Sequence, residues 1–402
     1  MRKIAICLLC LFCLQFSIAQ EIPTNEPRVI TTGVPFLLIA ADARSAGLAD
    51  QGVATSADAF SQQYNPAKYA FAQDPQGFSL NYTPYLTQLV NDISLGQVTY
   101  YNRFDERMAF GASLRYFSLG EIELRQDYTD PAQIVKPNEL AVDISYSLKL
   151  SDYFSMAVAG RYIRSALKIP AENNDIKPAS TFAVDVAGFY QSEEIAFTDF
   201  NGRYRLGFNF QNLGPKIRYD ITQDDTNANF LPANMRLGGA FDFILDDYNK
   251  VTASVEFTKL LVPTPQVPNY RDINGDGTIT NQEITDARVE ANEAYRKISW
   301  TSGLIKSFGD APDGFSEELK EFTYSAAAEY LYQDSFAFRL GYFHESEEKG
   351  ARKFASLGAG FRYNIVKIDV SYLFSTSRVQ NPLENTLRFS LTFNFGEKYD
   401  DL

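Results

Sequence analysis

Between residues 77 and 396 the chain places apolar and aromatic side chains at every second position, the period of a β-strand whose two faces meet different surroundings. Leu140, Val142, Ile144, Tyr146, Leu148 and Leu150 point one way, and Ala141, Asp143, Ser145, Ser147 and Lys149 the other. After a tight turn at Ser151-Asp152, the stripe resumes with Phe154, Met156, Val158, Gly160 and Tyr162. It returns through Phe182, Val184 and Val186, through Tyr204, Leu206 and Phe208, and lastly through Leu387, Phe389, Leu391, Phe393 and Phe395. Three earlier strands begin near Phe78, Ile93 and Arg107. In the second the phase slips around Gln97-Val98, which predicts a bulge. The count comes to about 14, the even number a closed bacterial barrel needs.

The connections alternate in length. Tight turns fall at Asp105-Glu106, Ser151-Asp152, Asp246-Asp247, Asp334-Ser335 and Asn364-Ile365, and long loops at 118–139, 164–180, 213–233 and 259–321. The stripe opposite the apolar one is small and uncharged as often as charged, unlike the outer face of a soluble β-sandwich. The fold class expected is all-β, a 14-stranded antiparallel transmembrane barrel in the outer membrane. Its long loops are expected to be extracellular, and both termini periplasmic.

Composition narrows this further. No stretch approaches the roughly 18 unbroken apolar residues of a spanning helix, yet the chain holds 32 Phe and 24 Tyr against one Trp. Aromatics without long apolar runs suit a barrel with interfacial girdles. Residues 1–19 read as a signal peptide: Arg2 and Lys3, an apolar run to Leu14, then Ser17-Ile18-Ala19. Cys7, Cys10 and Cys13 all lie within it, so the exported chain is expected to lack disulfides, thiolate nucleophiles and sulfur metal sites. Loss of Arg2 and Lys3 leaves 35 basic side chains against 50 acidic, a net charge of −15. A chain this acidic is a poor partner for nucleic acid. The expected layout is a hatch or plug segment over 20–76, the barrel over 77–396 and a tail over 397–402.

Chemistry-bearing motifs are few. His344, the single histidine, stands where a strand meets a loop, thin support for a hydrolase. No dinucleotide or phosphate-loop fingerprint is present, so no organic cofactor is expected. The longest loop is more specific. Residues 272–283 fit the calcium-loop template, with oxygen ligands from Asp272, Asn274 and Asp276, a turn at Gly277, the Thr278 carbonyl, and Glu283 as the closing bidentate carboxylate. Calcium is hard, large and satisfied by six to eight oxygens, hence Ca2+ as the expected ion. A helix is expected to follow, from Ile284, Ala287, Ala291, Ala294 and Ile298 at helical spacing, and none to precede it, because of Pro263, Pro265 and Pro268.

Ahead of the barrel stand Ala41-Asp42-Ala43-Arg44-Ser45-Ala46-Gly47, then Gly52-Val53-Ala54-Thr55, then Asn65-Pro66-Ala67-Lys68. The Asn-Pro-Ala element resembles the amino-terminal hatch of the FadL family, 14-stranded barrels that pass hydrophobic molecules across the outer membrane. The fuller pattern, with Asp42, Arg44 and Gly47 ahead of Asn65, Pro66 and Ala67, resembles the PorV branch of that family, in the type IX secretion system of Bacteroidota. That resemblance implies a non-catalytic component that covers the lateral opening of the giant translocon barrel. It also implies collecting secreted proteins by their C-terminal domains and delivering them to a sortase-like attachment complex, in contact with outer-membrane lipid. The calcium-type loop is no part of the family pattern. A FadL-like transporter of hydrophobic small molecules is the alternative, and a lipid-modifying enzyme a third reading. The lumen-facing sets Ala183-Asp185-Ala187 and Arg205-Gly207-Asn209 do not decide among them.

Overall fold

The structure is a computed structural model that describes residues 28–87, 89–125, 127, 131–167, 178–219, 228–377 and 381–396. The expected signal peptide and the 397–402 tail lie outside the described residues. Fourteen strands carry the fold: β1 (Gln76–Pro84), β2 (Ile93–Arg103), β3 (Met108–Leu119), β4 (Asn138–Ser151), β5 (Phe154–Ala166), β6 (Ala179–Gln191), β7 (Asn201–Leu213), β8 (Asn234–Ile244), β9 (Asn249–Leu260), β10 (Phe322–Tyr332), β11 (Phe336–His344), β12 (Lys353–Tyr363), β13 (Val366–Ser375) and β14 (Leu387–Phe395). Each pairs antiparallel with the next, and β14 pairs antiparallel with β1 from Phe395↔Gln76 to Phe389↔Tyr82, closing the barrel without an edge. Among the described residues no helix is long and apolar enough to cross a membrane, which says nothing of strands.

The alternation read from the sequence is the alternation of the wall. In β4, Ala141, Asp143, Ser145 and Ser147 are buried inward while Ile144 and Tyr146 are exposed outward. The outward face is apolar and aromatic, as a lipid-facing wall requires. The bulge expected at Gln97-Val98 is absent: β2 runs in unbroken register against both neighbours. The apparent slip arises because the inward stripe changes chemistry with height. Leu95 points into an apolar cluster with Phe36 and Phe117, whereas Gln97 and Thr99, inward on the same strand, are polar. Register shifts occur instead at Phe210/Leu213 of β7 against β6, and at Lys149/Ser151 of β4 against β5.

Short turns gather at one mouth and long connections at the other. Gln333 (φ 53), Asp334 (φ 50) and Asn364 (φ 56) take the left-handed conformations that tight hairpins demand. In the longest connection, α3 (Asn281–Lys297) starts from a capping box between Thr280 and Glu283 and buries Ile284 and Ala287, as the spacing predicts. Two shorter helices, α4 (Trp300–Lys306) and α5 (Phe315–Lys320), follow it.

Residues 28–75 run down the interior. They form a 3-10 turn (Pro35–Leu38), α1 (Ala43–Gly47), α2 (Ser61–Tyr64) and a second 3-10 turn (Pro66–Phe71). At the long-loop mouth the Gly33 N–H donates to the Phe230 carbonyl at 2.8 Å. At the short-turn mouth the Arg103 N–H donates to the Pro75 carbonyl at 2.7 Å, where β1 begins. Residues 28–34 and 394–396 therefore lie at opposite mouths; the two termini, expected on the periplasmic side, lie outside the described residues. The even strand count brings the start of β1 and the end of β14 together, but the segment ahead of β1 spans the height of the barrel.

Candidate functional site

The site is built where this inner segment meets the lumen wall. Asp42 caps α1, its Oδ1 accepting the Ser45 N–H at 2.7 Å. Its burial pushes the carboxyl up to about 6. Arg44, two residues on, reaches across to β10. Its Nε and Nη2 donate to Glu329 at 3.2 and 3.0 Å, its Nη1 donates to Asp58 at 2.5 Å, and its Nη2 donates to Ser56 Oγ at 2.7 Å. Glu329 also receives Arg339 Nε at 2.7 Å, and Arg339 continues to Asp369 at 2.7 Å. Asp58, Arg44, Glu329, Arg339 and Asp369 thus form one buried chain of alternating charge. Gly47 lies against the wall: a Cβ there would sit 3.0 Å from the Gly358 Cα, so any larger residue would have to push the two backbones apart.

Asn65, Pro66 and Ala67 make the second anchor. Asn65 Nδ2 donates to the Val53 carbonyl at 2.8 Å and to the Gly188 carbonyl of β6 at 3.0 Å, and its Oδ1 accepts the Ala67 N–H at 3.0 Å. Pro66 begins the 3-10 turn, where its missing N–H costs nothing. The Pro66 and Ala67 carbonyls accept hydroxyls from Ser147 and Ser155 at 2.9 and 2.7 Å. Lys68 donates to Thr55 Oγ1 at 3.0 Å, and burial pushes its amine down to about 8.

Sequence reading missed the wall's half of this lattice. Glu256 accepts the Gly52 and Val53 N–H groups at 2.8 and 2.9 Å and pairs with Arg236 at 2.9 Å. Arg205 pairs with Asp242 at 2.6 Å and donates to the Ala54 carbonyl at 3.2 Å. Arg161 bridges Asp143 at 2.5 Å and Asp185 at 3.0 Å. Arg115 donates to the carbonyls of Phe36, Leu37 and Ile39. The signal was available: each is a charge in an inward stripe otherwise rich in small or polar residues, where burial demands a partner. Above this polar layer, Val34, Phe36, Leu37, Leu95, Phe117 and Ile163 pack as an apolar core. Below it lies a cavity of about 180 Å3 whose lining includes Arg44, Arg205, Lys367, Asp242 and Glu329, a charged wall.

The structure does not bring the calcium-type residues to this site. Asp272, Asn274, Asp276 and Thr278 lie in a largely exposed turn of the long connection, and Glu283 is buried in the first turn of α3. Asp272 accepts the Gly275 and Gly277 N–H groups at 2.7 Å each, Asn274 Oδ1 accepts the Asp276 N–H at 2.9 Å, and Asp276 Oδ1 accepts the Thr278 N–H at 2.8 Å. Glu283 folds back onto the Ile273 and Thr280 N–H groups at 2.8 Å each. The carboxylates are turned inward by the loop's own amides; among the described residues no group of three His, Cys, Asp or Glu side chains is placed to hold a metal ion. His344 lies on the outward stripe of β11, stacked on Tyr324 with ring centroids 4.6 Å apart.

The family model described as type IX secretion system protein PorV matches residues 22–267. No curated protein matches the chain. Among solved structures, the chain is similar to the P. putida toluene transporter TodX (12% identity, 89% of this chain and 98% of that one, TM-score 0.50). It is also similar to a Pseudomonas aeruginosa FadL homologue (14%, 92% and 100%, TM-score 0.44) and to the Ralstonia pickettii toluene transporter TbuX (11%, 90% and 100%, TM-score 0.46). At such identities the likeness to TodX shows the fold alone.

Proposed function

Because the chain belongs to the PorV family of type IX secretion system proteins, outer-membrane barrels of FadL-like fold, we propose that it acts as a non-catalytic adaptor of that system. In this reading it covers the lateral opening of the giant translocon barrel. It binds secreted proteins by their C-terminal domains and passes them to the sortase-like attachment complex at the cell surface. The long connections face the outside, and the loop 259–321 is the leading contact surface, because partner binding concentrates on long loops carried by a rigid scaffold. The family belongs to secretion, and it is not a known enzyme family.

The observation that best supports the adaptor reading over hydrophobic transport is the lumen. Its middle is occupied by 28–75, locked by the buried Arg44–Glu329 ion pair and by hydrogen bonds from the Gly52 and Val53 N–H groups to Glu256 and from Arg205 to the Ala54 carbonyl, and the space beneath is charged. An apolar solute gains nothing by entering such a wall. The deciding experiment is gentle extraction of a C-terminally tagged protein from outer membranes, with mass spectrometry of what accompanies it. A very large barrel, or secreted proteins sharing a C-terminal domain, is the expected result. A lone barrel carrying fatty acid or aromatic ligand would replace this reading with the transporter.

A further inference from the structure

The cavity beneath the polar layer opens toward the short-turn mouth, where Asp334 and Ser335 of a tight turn belong to its lining. More cationic side chains than carboxylates line it, although the whole chain is acidic, with a net charge of −13. Three of its guanidiniums are matched to carboxylates: Arg44 to Glu329 at 3.0 Å, Arg205 to Asp242 at 2.6 Å and Arg362 to Asp74 at 3.1 Å. Lys367 of β13 is different. Among the described residues, its Nζ meets a carboxylate only at Asp369 Oδ2, 3.4 Å away, and that oxygen accepts no hydrogen bond. The other oxygen of Asp369 is taken by Arg339 at 2.7 Å.

Strand register sets what stands beside this ammonium. Lys367 is opposite Arg362 on β12 and Thr392 on β14, and Thr392 is opposite Ser79 on β1. These residues face the lumen, since their sequence neighbours Phe361, Ile368 and Leu80 are exposed on the outer wall. Thr392 is 3% exposed and lines the cavity, yet its Oγ1 has no hydrogen-bond partner among the described residues. The Oγ of buried Ser79 has none either. Asn394, next on the same inward stripe, brings an amide to the lining. Buried hydroxyls are seldom left unpaired, because the desolvation they suffer is then uncompensated. An ammonium, a hydroxyl and an amide side by side can all donate, and what complements such a set is an anion with several oxygens.

We propose that Lys367, Thr392 and Asn394 form a binding site for a small oxyanion, a phosphate or a carboxylate, entered from the short-turn mouth. The anion accepts hydrogen bonds from Lys367 Nζ, the Thr392 hydroxyl and the Asn394 amide, and it answers the surplus of cations in the cavity. The site does not depend on the adaptor function proposed above.

The test is calorimetric titration of the purified barrel with inorganic phosphate and with acetate, at constant ionic strength. Saturable binding at one site is expected. Lys367→Met is expected to weaken it about tenfold or more, the worth of a hydrogen bond to a charged group, and Thr392→Val severalfold. Lys297→Met, at an exposed position on α3, is expected to leave binding unchanged. Tighter binding of phosphate assigns the site to a phosphate-bearing ligand, and tighter binding of acetate to a carboxylate. Thr392→Val keeps the shape of the side chain and removes only the hydroxyl, so it carries the test if Lys367→Met does not fold. Absence of saturable binding of either anion to the unsubstituted barrel overturns the inference, as does undiminished binding in the folded variants.

Discussion

Arg44 and Glu329 are the residues on which inner segment and wall depend most directly. Removing one partner of a buried pair strands the other charge, which costs about 3–5 kcal/mol. Glu329→Ala leaves both Arg44 and Arg339 without their shared carboxylate, so thermal unfolding of the purified barrel is expected to shift down by that amount. Gly207 tests packing rather than charge: a Cβ there would lie 2.1 Å from the Val53 carbonyl oxygen. Gly207→Ala is expected to lose about 1–3 kcal/mol, typical of overpacking, in the same melt. Asp42 sets a pH dependence. Its carboxyl is raised to about 6 by burial, so its contribution to stability is full below the ordinary Asp value near ~3.9 and is lost as pH rises through about 6. Melts between pH 4 and 7 are expected to show a slope that Asp42→Asn reduces.

At the scale of elements, the sequence was most legible where one face is uniform. The outward stripes marked nearly every strand, and the capping box at Thr280 with Ile284 and Ala287 marked α3. Legibility failed at β2, where inward residues change from Leu95 to Gln97 and imitate a slip of phase. It failed again for the Arg28–Glu317 ion pair, whose members stand 289 residues apart with no local pattern between them. The loop 272–283 remains a proposal for Ca2+, with Asp272, Asn274, Asp276, the Thr278 carbonyl and Glu283 as ligands. Trp300, the single tryptophan, lies on the neighbouring α4 and gives a reporter. Calcium titration is expected to change its emission, and Glu283→Gln to remove the change; a flat titration of the unsubstituted protein counts against the ion. Deleting 272–283 is expected to weaken secretion while the barrel keeps its heat-modifiable mobility on gels. Normal secretion would assign the loop no role in partner capture.

As a whole molecule, the protein is a closed wall around a filled centre. In planar bilayers the purified barrel is expected to carry no steady porin-like current, because 28–75 contacts strands around the ring and is held at both mouths. A large stable conductance would mean that the segment leaves the lumen. The period of two, the rhythm of turns and the even count determined barrel, strand number and facing by sequence alone, since each follows from local alternation and one apolar surround. The Asp42, Arg44, Gly47 and Asn65 pattern pointed to the family for a different reason, resemblance. What only the tertiary structure decided is which wall residue answers each buried group: Glu329 for Arg44, Gly358 for Gly47, Gly188 for Asn65. It also decided that the inner segment runs from one mouth to the other. Those pairings join positions more than a hundred residues apart, and closure of the ring, not any neighbour in sequence, brings them within reach.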